Sequence, residues 1–240
     1  MPSSARGDVA IVVGGQAGQG IQTIEFILTR VLKRSGFHVF ATKEYMSRIR
    51  GGSNSTLIRV GDRRVPANVD RIDVLVPLDD GALDNLAHRI SPGTLILGEK
   101  DRLREGSGCV DAPFTAMAES VGGKIYANTV AIATLCGILR TDFEVLRSYL
   151  ADHFRRKGDQ VVARNVEAAR KGYDLGEGLR SSGGFRFSVE RHAEMSGDLL
   201  VSGAQAVALG AVSGGCRFVA SYPMSPSTAV LTYMARNDRR

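Results

Sequence analysis

The chain has 240 residues, a formal net charge of +6, 43% hydrophobic residues, few aromatics and no tryptophan. That excludes wholesale disorder and points to cores of Val, Leu, Ile and Ala, as in parallel-sheet α/β proteins. The basic residues are scattered, no apolar run approaches the ~18 residues of a membrane span, and Cys109, Cys136 and Cys216 form no CxxC pair. Nucleic-acid binding, a membrane span, and a metal cluster or structural zinc carried by this chain are all disfavoured. The polar stretch before Val9 lacks a signal-peptide pattern, so a cytoplasmic location with buried free thiols is predicted.

Val9–Val13 is a continuous apolar run, read as a strand buried on both faces. Gly14-Gly15-Gln16-Ala17-Gly18-Gln19-Gly20 follows as a loop. Ile21, Ile24, Ile27, Leu28, Val31 and Leu32 recur at helical spacing, and Gly36 ends that helix. His38–Ala41 is the second strand of a right-handed βαβ unit. Arg48 to Asn54 is a basic, glycine-containing loop. Ser55–Val60, turned by Gly61-Asp62, is predicted to pair with Arg63–Val65 as a hairpin.

Ile72–Leu78 and Thr94–Leu97 are further strands, with a helix near Asp80–Ile90 and a turn at Ser91-Pro92-Gly93 between them. Ala112–Val121 reads as a helix, Lys124–Ala127 as a short strand, and Asn128-Thr129 as the cap of a helix Val130–Arg140. Asp142–Phe154 and Val161–Lys171 read as two more helices. Tyr173 to Glu194, rich in Gly, Ser, Arg and Glu, is the linker candidate. Beyond it a helix Gly203–Ser213, a strand Arg217–Ser221 and a helix Ser227–Arg236 begin a second α/β pattern that cannot close a core by itself.

Gly15-x-x-Gly18-x-Gly20 lies between a strand and a helix, where free N–H groups and the positive dipole end can receive an anion. The order is not the G-x-G-x-x-G of dinucleotide folds. Ile21-Gln22 replace the Lys-Ser/Thr of the Walker loop. Arg48, Arg50, Gly51 and Gly52 combine guanidinium donors with backbone freedom, a pairing suited to phosphate. Two other readings stay open: an NAD-type oxidoreductase with Glu44 on the ribose, and a tight turn that binds nothing, in a non-catalytic assembly domain.

Gly14 to Ile21, Arg48-Ile49-Arg50-Gly51-Gly52, Asp73-Val74-Leu75-Val76-Pro77-Leu78-Asp79 and Asn128-Thr129-Val130 together resemble the gamma domain of 2-oxoacid:ferredoxin oxidoreductases. Gly203 to Ala211 and Gly215-Cys216-Arg217-Phe218 are similar to the opening of that family's pyrimidine-binding thiamine domain. Ser221-Tyr222-Pro223-Met224-Ser225-Pro226-Ser227-Thr228 is similar to its Tyr-Pro-Ile-Thr-Pro-Ser signature. Gamma domain followed by the start of a thiamine domain is the order of the family's alpha subunits.

The resemblance implies a Rossmann-like three-layer gamma domain over 1–173, a linker over 174–194, and over 195–240 the opening, incomplete segment of a thiamine-type α/β domain. It implies oxidative decarboxylation of a 2-oxoacid, of 2-oxoglutarate or pyruvate type, to acyl-CoA, with electrons passed to ferredoxin. Coenzyme A would be held by the gamma domain, at Gly15, Gly18, Gln19, Gly20, Arg48, Arg50, Gly51, Gly52 and Asn128. Thiamine diphosphate with its Mg would be shared with or carried by a beta subunit, and the iron–sulfur clusters would lie on partner subunits. Tyr222, Pro223, Ser225, Ser227 and Thr228 would face the substrate and thiamine, with Ser225 as helix cap and Pro226 as first helical residue.

Three positions depart from the family pattern: Gly203-Ala204-Gln205 replaces Gly-Asn-Glu, Met224 an isoleucine, and Ser225 a threonine. The family's thiamine-activating glutamate has no counterpart here. No catalytic set is therefore complete in this chain, and it is expected not to turn over alone.

Overall fold

The structure is a computed structural model that describes residues 6–45, 52–183, 185 and 187–237. By its internal contacts the chain divides into two compact units, Met1–Gly197 and Asp198–Arg240.

The first unit is built on a six-stranded sheet. Its strands are β1 (Asp8–Gln16), β2 (His38–Glu44), β3 (Ser53–Gly61), β4 (Val74–Pro77), β5 (Leu95–Gly98) and β6 (Val110–Asp111), in spatial order β2-β3-β1-β4-β5-β6. β1 lies parallel to β4, β4 to β5 and β5 to β6, whereas β3 runs antiparallel to both β1 and β2. β1 and β2 are thus parallel with β3 inserted between them. The hairpin expected with Arg63–Val65 does not form. Leu57, Ile58 and Val60 are buried, so β3 needs cover on both faces and a partner on both edges, which a short, charged segment at a sheet edge cannot supply.

Val9, Ile11 and Val13 point to one face of the sheet and Val12 to the other, following the two-residue period of a strand. The first face carries the larger core, with helices α1 (Ile21–Arg34), α3 (Phe114–Glu119), α4 (Ala127–Ile138), α5 (Phe143–Phe154) and α6 (Asp159–Ser181). The second face is covered by α2 (Asp80–Leu86), through Leu83 and Leu86. The fold is α/β, as expected, with helices on both sides of the sheet. Gly36, at φ 89°, follows α1 in the left-handed conformation expected of it.

Every residue from Thr129 to Ile138 in α4 is buried. Helix α6 crosses it where Gly176 meets Gly137 and Gly172 meets Val130. A Cβ on Gly176 would run into the Thr134 carbonyl, and one on Gly172 into that of Val130. These glycines are therefore contact surface. That is why α6 continues to Ser181, into the segment expected as a linker. Thr129 Oγ1 and Asn165 Oδ1, 2.7 Å apart, tie the same two helices together within the core. Cys136 lies in this interface, its pKa pushed up to about 12 by burial, so it is an inert thiol. Cys109 is also buried, but Cys216 is exposed, against expectation.

Lys124–Tyr126 is a 3-10 turn rather than a strand. Gly122 and Gly123, at φ 127° and 148°, reverse the chain directly into α4. The sixth strand is instead Val110–Asp111, too short to show a period.

At the amino end of β1 an ion cluster pins the sheet. Asp73 accepts the Ala10 amide (2.8 Å) and pairs with Arg6 (2.5 Å) and Arg71 (3.1 Å). Asp8 pairs with Arg59 (2.8 Å) and Arg71 (2.6 Å). Burial opposes ionisation of Asp8, but hydrogen bonds and charge from Arg71 and Arg59 prevail and lower its pKa.

The second unit contains α7 (Gly203–Ser213), opened by a Ser202/Gln205 capping box, and α8 (Ser227–Arg236). Arg217–Ser221 is exposed, and no strand forms there. A lone apolar run has no neighbour to pair with among the described residues of this unit.

Gly176→Ala is expected to destabilise the chain by about 1–3 kcal/mol through overpacking at the α4–α6 crossing. Gly178→Ala, with nothing within 4 Å of the added carbon, is expected to stabilise by up to about 1 kcal/mol. Urea denaturation of the two variants measures the difference, and equal stabilities would refute the crossing. Because the folded pKa of Asp8 lies below its unfolded value near 3.9, its ion pairs stabilise fully above that value. Their contribution fades as pH falls through the folded pKa. Asp8→Asn should flatten the loss of stability below about pH 4, read as denaturation midpoints across an acid series.

Candidate functional site

β1 does not stop at Val13. Gly14 and Gly15 belong to the strand, and the loop is only residues 17–20. Gly14 is small because a Cβ there would lie 2.9 Å from the Ala82 methyl of α2. The true turn glycines are Gly18 (φ 97°) and Gly20 (φ 87°). Gly20 is the N-cap of α1, which has no side-chain cap and no acid in its first turn. Its leading amides and positive dipole end therefore meet no protein counter-charge.

A cleft of about 300 Å³ opens in front of these amides. The loop and α1 contribute Gln16, Ala17, Gly18, Gly20, Ile21, Gln22 and Thr23. Strand β2 and its exit supply Lys43 and Tyr45, and the start of β3 supplies Asn54, Ser55 and Thr56. The register explains this convergence: Gly15 faces Asn54, Gly14 faces Ser55, and Lys43 faces Thr56. The cleft sits at the carboxyl end of β1, where the strand order reverses between β2 and β4, as α/β ligand sites do. Lys43 Nζ lies 3.1 Å from Glu25 Oε2, and the Tyr45 hydroxyl meets Gln22 Nε2 at 3.4 Å.

A network behind the cleft sets the loop. The Gln16 amide donates to Gln19 Oε1 (2.8 Å) and to Asp79 Oδ2 (3.1 Å), while Asp79 Oδ1 caps α2 by accepting from the Ala82 amide (3.0 Å). Asn128 lies within α4, not at its cap, and its Nδ2 donates to the Gln19 carbonyl (3.4 Å). Gly15, Gln19 and Asn128 thus support the loop without lining the cleft. Gly52 precedes β3 and does not line it either. Arg48, Arg50 and Gly51 lie outside the described residues. Lys43, Tyr45, Ser55 and Thr56 escaped sequence reasoning because only the insertion of β3 beside β1 brings them there, whereas Asn54 ends the basic loop that the sequence offers for phosphate. Glu44, the acid of the dinucleotide reading, is not a lining residue. It accepts from Ser55 Oγ (2.9 Å) and pairs with Arg89 (3.4 Å).

In the second unit the expected cap is absent. Ser225-Pro226 is a cis peptide and Pro226, not Ser225, is the N-cap of α8. Ser227 Oγ donates to the carbonyls of Tyr222 and Met224, and Thr228 Oγ1 donates to Met224. Tyr222 is 78% exposed. Ser225 and Thr228 line a shallow hollow with Gln205 and Arg236.

The model of the pyruvate ferredoxin/flavodoxin oxidoreductase family matches residues 10–175. The chain belongs to this family. Among the family's characterised proteins, it is 22% identical to a 2-oxoacid:ferredoxin oxidoreductase alpha subunit of a Sulfolobus species, over 93% of this chain and 41% of that one. It is 28% identical to the ketoisovalerate oxidoreductase subunit VorA of Methanothermobacter thermautotrophicus, over 69% of this chain and 36% of that one. The fold matches the 2-oxoglutarate:ferredoxin oxidoreductase of Magnetococcus marinus, solved with 2-oxoglutarate, coenzyme A and succinyl-CoA bound. That match has a TM-score of 0.84 at 28% identity, over 97% of this chain and 41% of that one. A keto/oxoacid ferredoxin oxidoreductase gamma subunit of Geobacter sulfurreducens shares the fold at a TM-score of 0.57 and 20% identity, over 71% of this chain and 99% of that one. The chain spans about two fifths of the length of its longer relatives. No helix among the described residues is long and apolar enough to cross a membrane.

Gly20→Ala forces a side chain into the left-handed region and into Asn128 Nδ2. It is expected to cost about 1–3 kcal/mol. Gly18→Ala meets only the backbone penalty, since nothing lies within 4 Å. Adding Asn128→Ala should relieve Gly20→Ala but not Gly18→Ala in a double-mutant cycle of denaturation energies. Equal relief of both would remove Asn128 from the loop's support.

Proposed function

We propose that this chain supplies the coenzyme A-binding domain and the first part of the thiamine domain of a 2-oxoacid:ferredoxin oxidoreductase alpha subunit. The complete enzyme would oxidatively decarboxylate a 2-oxoacid, of 2-oxoglutarate or pyruvate type, to acyl-CoA and pass the electrons to ferredoxin. The observation that carries this reading is the likeness, over 97% of the chain, to a protein that binds 2-oxoglutarate and coenzyme A.

The cleft fits the acyl acceptor. Coenzyme A is anionic, and the cleft offers uncapped helix amides, the Lys43 ammonium and the Asn54 amide, while the Ser55 and Thr56 hydroxyls are engaged by Glu44 and the Thr42 carbonyl. Charge-assisted bonds from such donors are the strong ones. Lys43 is held across the cleft by Glu25, so an incoming phosphate competes for a cation already in position. Tyr45 offers a ring face at the rim.

The second unit does not fit thiamine activation by itself. Residues 198–240 contain no Glu, and their only aspartates are Asp198 and Asp238, so no glutamate is present there to polarise an aminopyrimidine. Ser225 and Arg236 can only shape and orient the mouth of such a site. Thiamine diphosphate with its Mg, and the iron–sulfur clusters, are accordingly assigned to a beta subunit and other parts of the complex.

Millimolar coenzyme A is expected to raise the melting temperature of the chain and NAD to leave it unchanged. Lys43→Ala should weaken coenzyme A by about tenfold, the loss of one charged bond. Mixed with 2-oxoglutarate, coenzyme A and an electron acceptor, the chain alone should show no turnover. Equal shifts with NAD, or robust turnover, would overturn this reading.

A further inference from the structure

A second groove lies elsewhere in the first unit, between the carboxyl ends of α4 and α6 and the segment that follows α6. It encloses about 470 Å³, in the range of small-molecule sites. Its walls mix Ile138, Leu139, Phe187 and Val189 with three guanidinium groups, those of Arg140, Arg180 and Arg191.

The charges are not compensated. Among the described residues no carboxylate pairs with any of the three arginines, and Glu190, on the same wall, bridges to none of them. Arg180 is held from below. Its Nη2 donates to the Phe187 carbonyl (2.9 Å), and its guanidinium lies 5.0 Å and 5.2 Å from the ring centres of Phe185 and Phe187. Its Nη1 is buried with no acceptor. Burial and the nearby charge of Arg140 both lower the Arg180 pKa. The dipoles of α4 and α6 favour a cation at each helix end. They do not explain why Arg140 holds φ 54°, the left-handed region a bulky side chain avoids, among the described non-glycine residues here alone. Nor do they explain the third arginine, which belongs to neither helix.

We propose that this groove binds a small organic phosphate, its phosphate gripped between Arg140 and Arg191 over the fixed charge of Arg180 and its apolar part against Leu139 and Val189. Planar guanidinium forks match phosphate oxygens, and the bound dianion supplies the counter-charge the three cations lack. The site is separate from the coenzyme A cleft, whose lining shares no residue with it.

Inorganic pyrophosphate is the probe, with binding to the full chain read by calorimetry and melting temperature. Binding is measured in a Lys43→Gln background, which removes the cation of the other cleft and should leave pyrophosphate binding in this groove intact. Arg140→Gly keeps the left-handed backbone and Arg191→Gln is an exposed change, so both should fold. Each is expected to weaken pyrophosphate by about tenfold, and the pair to abolish it. Citrate should bind far more weakly than pyrophosphate. The proposal is overturned if the double variant binds pyrophosphate like the parent, if Lys43→Gln abolishes binding, if citrate binds as tightly, or if the parent shows no binding at about 10 mM.

Discussion

The first unit depends on the burial of β1 from both faces and along both edges. A strand with Val9, Ile11 and Val13 in one core and Val12 in another cannot lie at a margin. It requires helices above and below and a hydrogen-bonded strand on each side. On one side β4 follows the parallel rule of α/β folds. On the other, β3 enters against the grain, its nine residues in register with β1 from Gly61 to Ser53. That antiparallel choice places the first residues of β3 beside the last residues of β1. A generic strand–loop–helix start thereby becomes a cleft with a floor, two walls and a cation.

The glycines divide by physical role, and only the structure separates them. Gly14 and Gly15 are strand residues pressed on α2 and the Gln19 side chain, while Gly18 and Gly20 take conformations closed to other residues. Gly137, Gly172 and Gly176 do something different again, letting two helix backbones touch so that α4 can be buried all round. Close glycine crossings exchange side-chain area for backbone proximity, and they hold Asn128 where it can reach the Gln19 carbonyl. The loop at the cleft is therefore braced by α4, a helix on the same face of the sheet as α1.

Much of this was legible in the chain. The apolar run at Val9 and the helical period from Ile21 to Leu32 are enough to predict β1, α1 and the glycine turn between them. The ordered set of motifs pointed to the family. Pairing was not legible, because β3 looks the same whether its partner is the next segment or one far behind it, and only three-dimensional closure decides. Glycine-rich composition read as a linker at Tyr173–Glu194 for a similar reason. Spacing of four on one helix face and random flexibility share the same residues until a second helix is placed against them. Asn128 reads in sequence as a helix cap and a coenzyme A contact, whereas it lies inside α4 and reaches the Gln19 carbonyl, a distant partner that leaves no local trace.

The two units differ in the condition most relevant to chemistry, the exclusion of water. In the first, the cleft is backed by a core that fixes its donors. In the second, Ala208 is the only residue buried below a tenth among those described, while Phe218 is 83% exposed, Leu199 81% and Tyr222 78%. Apolar exposure on that scale is far beyond scattered surface hydrophobes. Two helices and a capping box give this segment a shape, but not the low-dielectric surroundings in which polar groups act with useful energy. Exposed Phe218, Leu199 and Tyr222 therefore leave this segment with no core of its own among the described residues.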